Sequence, residues 1–154
     1  MKNGFFSVPR PVNEPVFDYK KNSPERKEVL ETYAALYNST IDVPLYIGSK
    51  KIVTKERAKM APPHDHKHTL GSFSMAEASH VTQAIDAALA ASPDWENTSF
   101  EHRAAVFLKA ADLIAGPYRA RINAKTMLAQ SKNIFQAEID AACEFADFLR
   151  FNVA

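Results

Sequence analysis

The run His64-Asp65-His66-Lys67-His68 sets three imidazoles and a carboxylate close together, the one stretch of the chain whose residue types could gather a metal ion. In an extended backbone, residues i and i+2 point the same way, so His64, His66 and His68 would share a face. Their surroundings argue against a site. Lys67 adds a cation, Pro62-Pro63 marks a surface turn, and no cysteine or glutamate stands nearby to complete a ligand set. A solvated turn with no metal is expected. Cys143, the single cysteine, stands in Ala141-Ala142-Cys143-Glu144, where small neighbours and an acid oppose thiolate formation. An ordinary helix residue is expected there rather than a nucleophile. Glycine occurs only as Gly4, Gly48, Gly71 and Gly116, and none falls in a phosphate-cradling pattern.

Two carboxylates near the C-terminal end stand out. Drawn as one helix at about 100° per residue, the segment from Ile134 onward has two adjacent apolar stripes: Phe135, Ile139, Ala142, Ala146, Leu149 and Val153, beside Ile134, Ala137, Ala141, Phe145 and Phe148. Gln136, Asp140, Cys143, Asp147 and Arg150 share the opposite face. Glu138 falls inside the apolar arc and Glu144 on its margin. A carboxylate so placed must be paired, hydrogen-bonded or turned to a cavity, because burying an isolated charge is costly. Structural pairing is the expectation for Glu138; for Glu144, pairing and a place in a substrate pocket both stand.

The elements that must position these residues read as follows. Residues 1–22, with Pro9, Pro11 and Pro15, form an extended arm. Ser23-Pro24-Glu25 supplies an N-cap hydroxyl, a proline at the first helical position and an acid in the first turn, predicting a helix over 23–39. Residues 41–73 form a small antiparallel sheet, with a hairpin turning at Gly48-Ser49-Lys50 and a third strand near Gly71-Ser72-Phe73. Residues 74–154 form a helical block. Capping boxes at Ser74–Glu77 and Thr98–Glu101 open its first helices, the first running to about Ala91. Val81, Ala84, Ile85, Ala88 and Leu89 line one side of that first helix, and Gly116-Pro117 ends the second. A third helix follows over 118–130, and the last starts near Ile134. The expected class is α+β, mainly helical, with no domain boundary inside the chain. Sequence compatible with helix runs to Ala154 without a closing glycine or proline, from which truncation is expected.

Composition excludes several classes. Nineteen basic against 18 acidic residues leave a net charge of +1 with no basic block, so nucleic acid is not an implied partner. No run of about 18 apolar residues points to a membrane, and Phe5-Phe6-Ser7-Val8 is too short for a signal-peptide core. A reducing compartment fits the lone cysteine.

The run Phe107-Leu-Lys-Ala-Ala-Asp-Leu-Ile-Ala-Gly-Pro-Tyr-Arg119, followed by Ala124-Lys-Thr-Met127, resembles the aldehyde dehydrogenase superfamily. Gln136-Ala-Glu-Ile-Asp-Ala-Ala-Cys-Glu144 with Asp147-Phe-Leu-Arg-Phe-Asn152 resembles its 1-pyrroline-5-carboxylate dehydrogenase branch, as do Asn13-Glu-Pro-Val16 and Ser23-Pro-Glu-Arg26. The resemblance implies oxidation of glutamate γ-semialdehyde to glutamate with NAD in proline catabolism. It also implies a homo-oligomer acting on a small aldehyde, placed in the cytoplasm or, in a eukaryote, in the mitochondrial matrix. In that family a cysteine thiolate attacks the aldehyde, hydride passes to nicotinamide, and a glutamate-activated water hydrolyses the thioester. The nucleophile, the general base and the cofactor domain would lie in sequence beyond Ala154. No catalytic or cofactor-binding residue is therefore assigned here, and the isolated chain is expected to be inactive. Glu138 resembles a structural glutamate of the superfamily. Glu144 resembles the glutamate beside the aldehyde-entry side of the substrate site.

Overall fold

The computed structural model describes residues 6–154; the first five residues of the predicted arm lie outside the described residues. In chain order the elements are α1 (Pro24–Tyr37), β1 (Ile41–Val43), β2 (Leu45–Ile47), β3 (Lys50–Ile52), β4 (Arg57–Met60) and β5 (Gly71–Ser74), followed by α2 (Ala78–Asn97), α3 (Phe100–Ala115), α4 (Arg119–Gln130), α5 (Ile134–Ala137), a π-helical turn (Glu138–Cys143) and α6 (Glu144–Phe151). They fall into two compact units, one made of residues up to Ala34 with Ser99–Ala154, the other of Ala35–Thr98. The arm thus groups with the C-terminal helices, and the strands with α2.

In the first unit, residues 6–20 contain neither helix nor strand. Ser23 starts α1 as its type predicts: its hydroxyl accepts from the Arg26 N–H and its carbonyl from the Lys27 N–H. The α3–α6 contact is built on small residues. Ala111 and Ile114 meet Ala146, with Ala115, Ile122 and Leu149 packed around them. A methyl group on each side lets the two helices approach closely. Ser131, left-handed at φ 56°, closes α4, and Asn133 opens α5 through a reciprocal box with Gln136.

The last helix is not the continuous α-helix expected. The Glu144 N–H bonds the carbonyl of Ile139, five residues back instead of four, so the turn over Glu138–Cys143 carries an extra residue. The stripe Ala142, Ala146, Leu149 and Val153 still faces inward, as the wheel has it. Cys143, assigned to the polar face by a 100° wheel, is buried, while Phe145 and Phe148, assigned to an apolar stripe, are exposed.

The second unit holds two sheets rather than one. β2 and β3 form the expected hairpin, turning on Gly48-Ser49 with Gly48 at φ 56°. The other sheet has the order β1-β5-β4, with β4 and β5 antiparallel but β1 and β5 parallel, which corrects the all-antiparallel expectation. Gly71 makes the parallel pairing possible. At φ 136°, a Cβ built on it would lie 1.8 Å from the Ile41 carbonyl oxygen. Three further expectations shift here. Ser74 is the last residue of β5 and its hydroxyl accepts from the Thr54 N–H, so it is not free to cap; Glu77 and His80 form the box that opens α2. α2 also continues through Pro93 to Asn97, and its last turn is closed by Asn97 and Thr98 side chains donating to the carbonyls of Pro93 and Asp94. Val81, Ile85 and Leu89 on α2 are exposed instead of packed.

Candidate functional site

The histidine run lies within the second unit and is organised around Tyr37. The His68 ring stacks on Tyr37 at 3.8 Å and its Nε2 lies 2.6 Å from the Tyr37 carbonyl oxygen. Tyr37 Oη donates to Asp65 Oδ2 at 2.9 Å, and Asp65 Oδ1 accepts the N–H groups of Lys67 and His68. Bonds to the Tyr37 hydroxyl and to these amides hold the Asp65 carboxyl below the usual carboxylate range. Asp65 is thus a turn-forming acceptor. Among the described residues no three His, Cys, Asp or Glu side chains gather within reach of one ion.

The first unit contains a dense polar centre. Glu138 is fully buried and anchors it. Its Oε1 accepts the Phe17 N–H at 2.9 Å and the Arg119 Nη2. Its Oε2 accepts the Tyr19 hydroxyl at 2.8 Å and Asn123 Nδ2 at 2.7 Å, and Arg119 Nε lies 3.1 and 3.2 Å from the two oxygens. Arg119 uses its remaining donors on Glu14 Oε1 and the Pro15 carbonyl, each at 2.6 Å, on the Ala115 carbonyl at 3.3 Å and on Cys143 Sγ at 3.3 Å. Its guanidinium also lies 3.7 Å from the Phe17 ring centroid. Glu14 then bridges to Arg150 at 2.6 Å, and Arg150 reaches Asp147 at 4.0 Å. Charges alternate along this chain of five, Glu138, Arg119, Glu14, Arg150 and Asp147, so each cation sits between two anions.

Electrostatics follow from the geometry. Burial alone would push the Glu138 carboxyl up, but the bonds from Arg119, Phe17, Tyr19 and Asn123 together hold it below the usual carboxylate range. The Tyr19 hydroxyl is pushed well above its ordinary value, first by burial and then by the Glu138 charge. Tyr19 also adopts φ 50°, a left-handed conformation that bulky residues avoid, and its bond to Glu138 helps hold it there. Burial and the nearby Glu138 push the Cys143 thiol up to about 11. That shift favours the protonated thiol at neutral pH. A maleimide is therefore expected to leave Cys143 unmodified in the native protein and to label it once the protein is denatured. Native labelling at the rate of a free thiol would overturn this.

Glu144 sits apart from the buried centre. It is exposed at the start of α6, on a groove of about 310 Å³ lined also by Asn13, Asp147, Phe148 and Phe151. The two carboxylates singled out by sequence thus separate: Glu138 is enclosed by partners and Glu144 opens onto a groove. Sequence reasoning did not find the partners of Glu138. Phe17, Tyr19, Arg119 and Asn123 lie on the arm and on α4, and only the polarity of Arg119 and Asn123 among the alanines of α4 hinted at them.

The aldehyde dehydrogenase family model matches residues 52–154. Over 147 residues the chain is 44% identical to the mitochondrial delta-1-pyrroline-5-carboxylate dehydrogenase of Dictyostelium discoideum, covering 96% of this chain and 26% of that protein. The human mitochondrial enzyme of the same name is 41% identical over 140 residues, 91% of this chain and 25% of its own length. Among solved structures, delta-pyrroline-5-carboxylate dehydrogenase from Mycobacterium tuberculosis bound with NAD superposes with a TM-score of 0.95 at 47% identity, covering 99% of this chain and 29% of that one. This chain spans about a quarter of the length of the relatives it matches. With the family match extending over two thirds of its residues, the chain belongs to the aldehyde dehydrogenase family.

Proposed function

We propose that this chain is the N-terminal part of an NAD-dependent dehydrogenase that oxidises L-glutamate γ-semialdehyde, the open form of 1-pyrroline-5-carboxylate, to L-glutamate in proline catabolism. The carrying observation is similarity to pyrroline-5-carboxylate dehydrogenases along nearly the whole chain, at 44% and 47% identity in a curated relative and a solved structure. The working enzyme is placed in the cytoplasm, or in the mitochondrial matrix in a eukaryote, and acts as a homo-oligomer. Glu144 is assigned to the aldehyde-entry side of the substrate site, a role favoured by its exposure on the groove beside Phe148 and Phe151.

The described residues do not make an NAD site by themselves. Gly48, Gly71 and Gly116 serve a hairpin turn, a parallel strand pairing and a helix end, and none cradles a phosphate. Cys143 is protonated and enclosed, so it supplies no nucleophile. The cofactor and catalytic domains are accordingly assigned to further polypeptide. Purified residues 1–154, given pyrroline-5-carboxylate and NAD, are expected to form no NADH above a blank, whereas the full-length enzyme forms it readily. Turnover by the isolated chain, or its absence in the full-length enzyme, would overturn the assignment.

A second reading is a non-catalytic module that pairs with itself or with an intact dehydrogenase. The exposed stripe Val81, Ile85 and Leu89 favours it, since contiguous apolar surface marks association. Light scattering separates the two: a defined oligomer of the isolated chain supports this reading, and a monomer with a cooperative melt argues against it.

A further inference from the structure

We infer that Asn13 and Asp147 are positioning residues for Glu144, the arm gripping α6 so that Glu144 is held at its groove. The inference rests on the pocket role proposed above for Glu144.

Asp147 follows Glu144 by three residues and so lies on the same side of α6. Both of its oxygens are taken by consecutive residues of the arm. Oδ2 accepts Asn13 Nδ2 at 2.8 Å, and Oδ1 accepts the Glu14 N–H at 2.7 Å. One turn further, Arg150 donates to Glu14 Oε2 at 2.6 Å. Three hydrogen bonds from two arm residues therefore hold the face of α6 that carries Glu144.

The backbone ladder is irregular just before that face. The turn leading into Glu144 is π-helical, and the Glu144 N–H reaches back to Ile139 rather than continuing the ordinary ladder from α5. The rotation of α6 about its axis is set on one side by Ala146 and Leu149 packing on α3 and, beside Glu144, by the arm's bonds to Asp147. Asn13 is also a wall of the groove, together with Glu144, Phe148 and Phe151. Releasing it moves the wall and the carboxylate together.

The test compares full-length enzymes carrying Asn13→Ala, Asn13→Gln, Glu144→Ala and the double variant Asn13→Ala/Glu144→Ala. The quantity measured is the ratio of kcat/KM for glutamate γ-semialdehyde to that for propanal, which lacks the amino-acid group. Loss of one grip is expected to shift this ratio by about 3- to 10-fold for Asn13→Ala, through KM more than kcat, in the same direction as Glu144→Ala. The double variant should move no further than Glu144→Ala alone, and Asn13→Gln, which keeps an amide donor, should recover most of the wild-type ratio. If Glu144→Ala shifts the ratio and Asn13→Ala does not, or if the two shifts simply add, the positioning role is overturned while the role of Glu144 stands. If Glu144→Ala leaves the ratio at the wild-type value, the pocket role itself falls and the positioning role with it. Hydrogen exchange gives a readout independent of activity. Amides of α6 should exchange faster in Asn13→Ala than in wild type, and unchanged protection there would overturn the grip even if a variant expressed too poorly for kinetics.

Discussion

Replacing Glu138 with alanine is expected to lower the unfolding free energy by about 3–5 kcal/mol, the cost of removing one partner from a buried ion pair. The loss is large because nothing else answers the groups it leaves. Arg119 would keep Glu14 but lose the carboxylate that takes its Nε and Nη2, and Tyr19, Asn123 and the Phe17 amide would each lose their acceptor. Against a typical total of about 5–15 kcal/mol, such a change unfolds a substantial fraction of molecules. Urea titration followed by circular dichroism measures it, and a loss under about 1 kcal/mol would show that the centre is not what holds the arm and helices together.

The same residue gives the acid limb of stability. The folded Glu138 carboxyl titrates below the 4.5 of a free glutamate, so as pH falls the unfolded chain takes up the proton first. Its contribution is complete above that value and drains away below it. Glu138→Gln should therefore be less stable than wild type at neutral pH yet lose less further stability on acidification.

This centre was only half legible in the sequence. An acid inside an apolar arc announced that Glu138 must be paired, since burial of its charge has no other low-cost solution. Its partners could not be read, because Tyr19, Arg119 and Asn123 are 119, 19 and 15 residues away and meet it only through the tertiary fold. Local signals did well where the local chain decides the outcome, as at Ser23-Pro24, at the Gly48 hairpin and at Gly116. They failed where a distant segment competes for a group. The Ser74 hydroxyl went to the Thr54 amide, which shifted the start of α2 to Glu77. β4, Arg-Ala-Lys-Met, has none of the β-branched residues that mark a strand and exists through its pairing with β5. The parallel partnership of β1 with β5 joins segments about 30 residues apart, and no periodicity encodes it. A fixed 100° wheel cannot register an inserted π residue, and it put Cys143, inside that turn, on the polar face, while the stripe Ala142, Ala146, Leu149 and Val153 kept the side it was given.

Removing the arm is expected to have the largest effect of all, abolishing cooperative unfolding of the helical unit in a chain that starts at Lys20. An extended, proline-bearing segment reads in sequence as a dispensable surface wrap, but the bonds point the other way. Tyr19 is 5% exposed, and burying an aromatic side chain contributes about 1.5–3 kcal/mol. The deletion also removes two donors to Glu138, the Glu14 carboxylate shared by Arg119 and Arg150, and the Pro15 carbonyl that accepts from Arg119. Hydrogen bonds to charged groups contribute about 1.5–3 kcal/mol each, so the combined loss rivals the whole stability of a domain. Denaturation followed by near-ultraviolet circular dichroism should show a sharp transition for the full chain and a shallow, non-cooperative one for the shortened chain. A synthetic peptide covering 6–19, added in excess, should restore the sharp transition, because residues 6–19 form neither helix nor strand and carry their contacts as side chains and amides. A shortened chain that melts as sharply as the full one would mean that α3, α4 and α6 hold Glu138 and Arg119 in place without the arm.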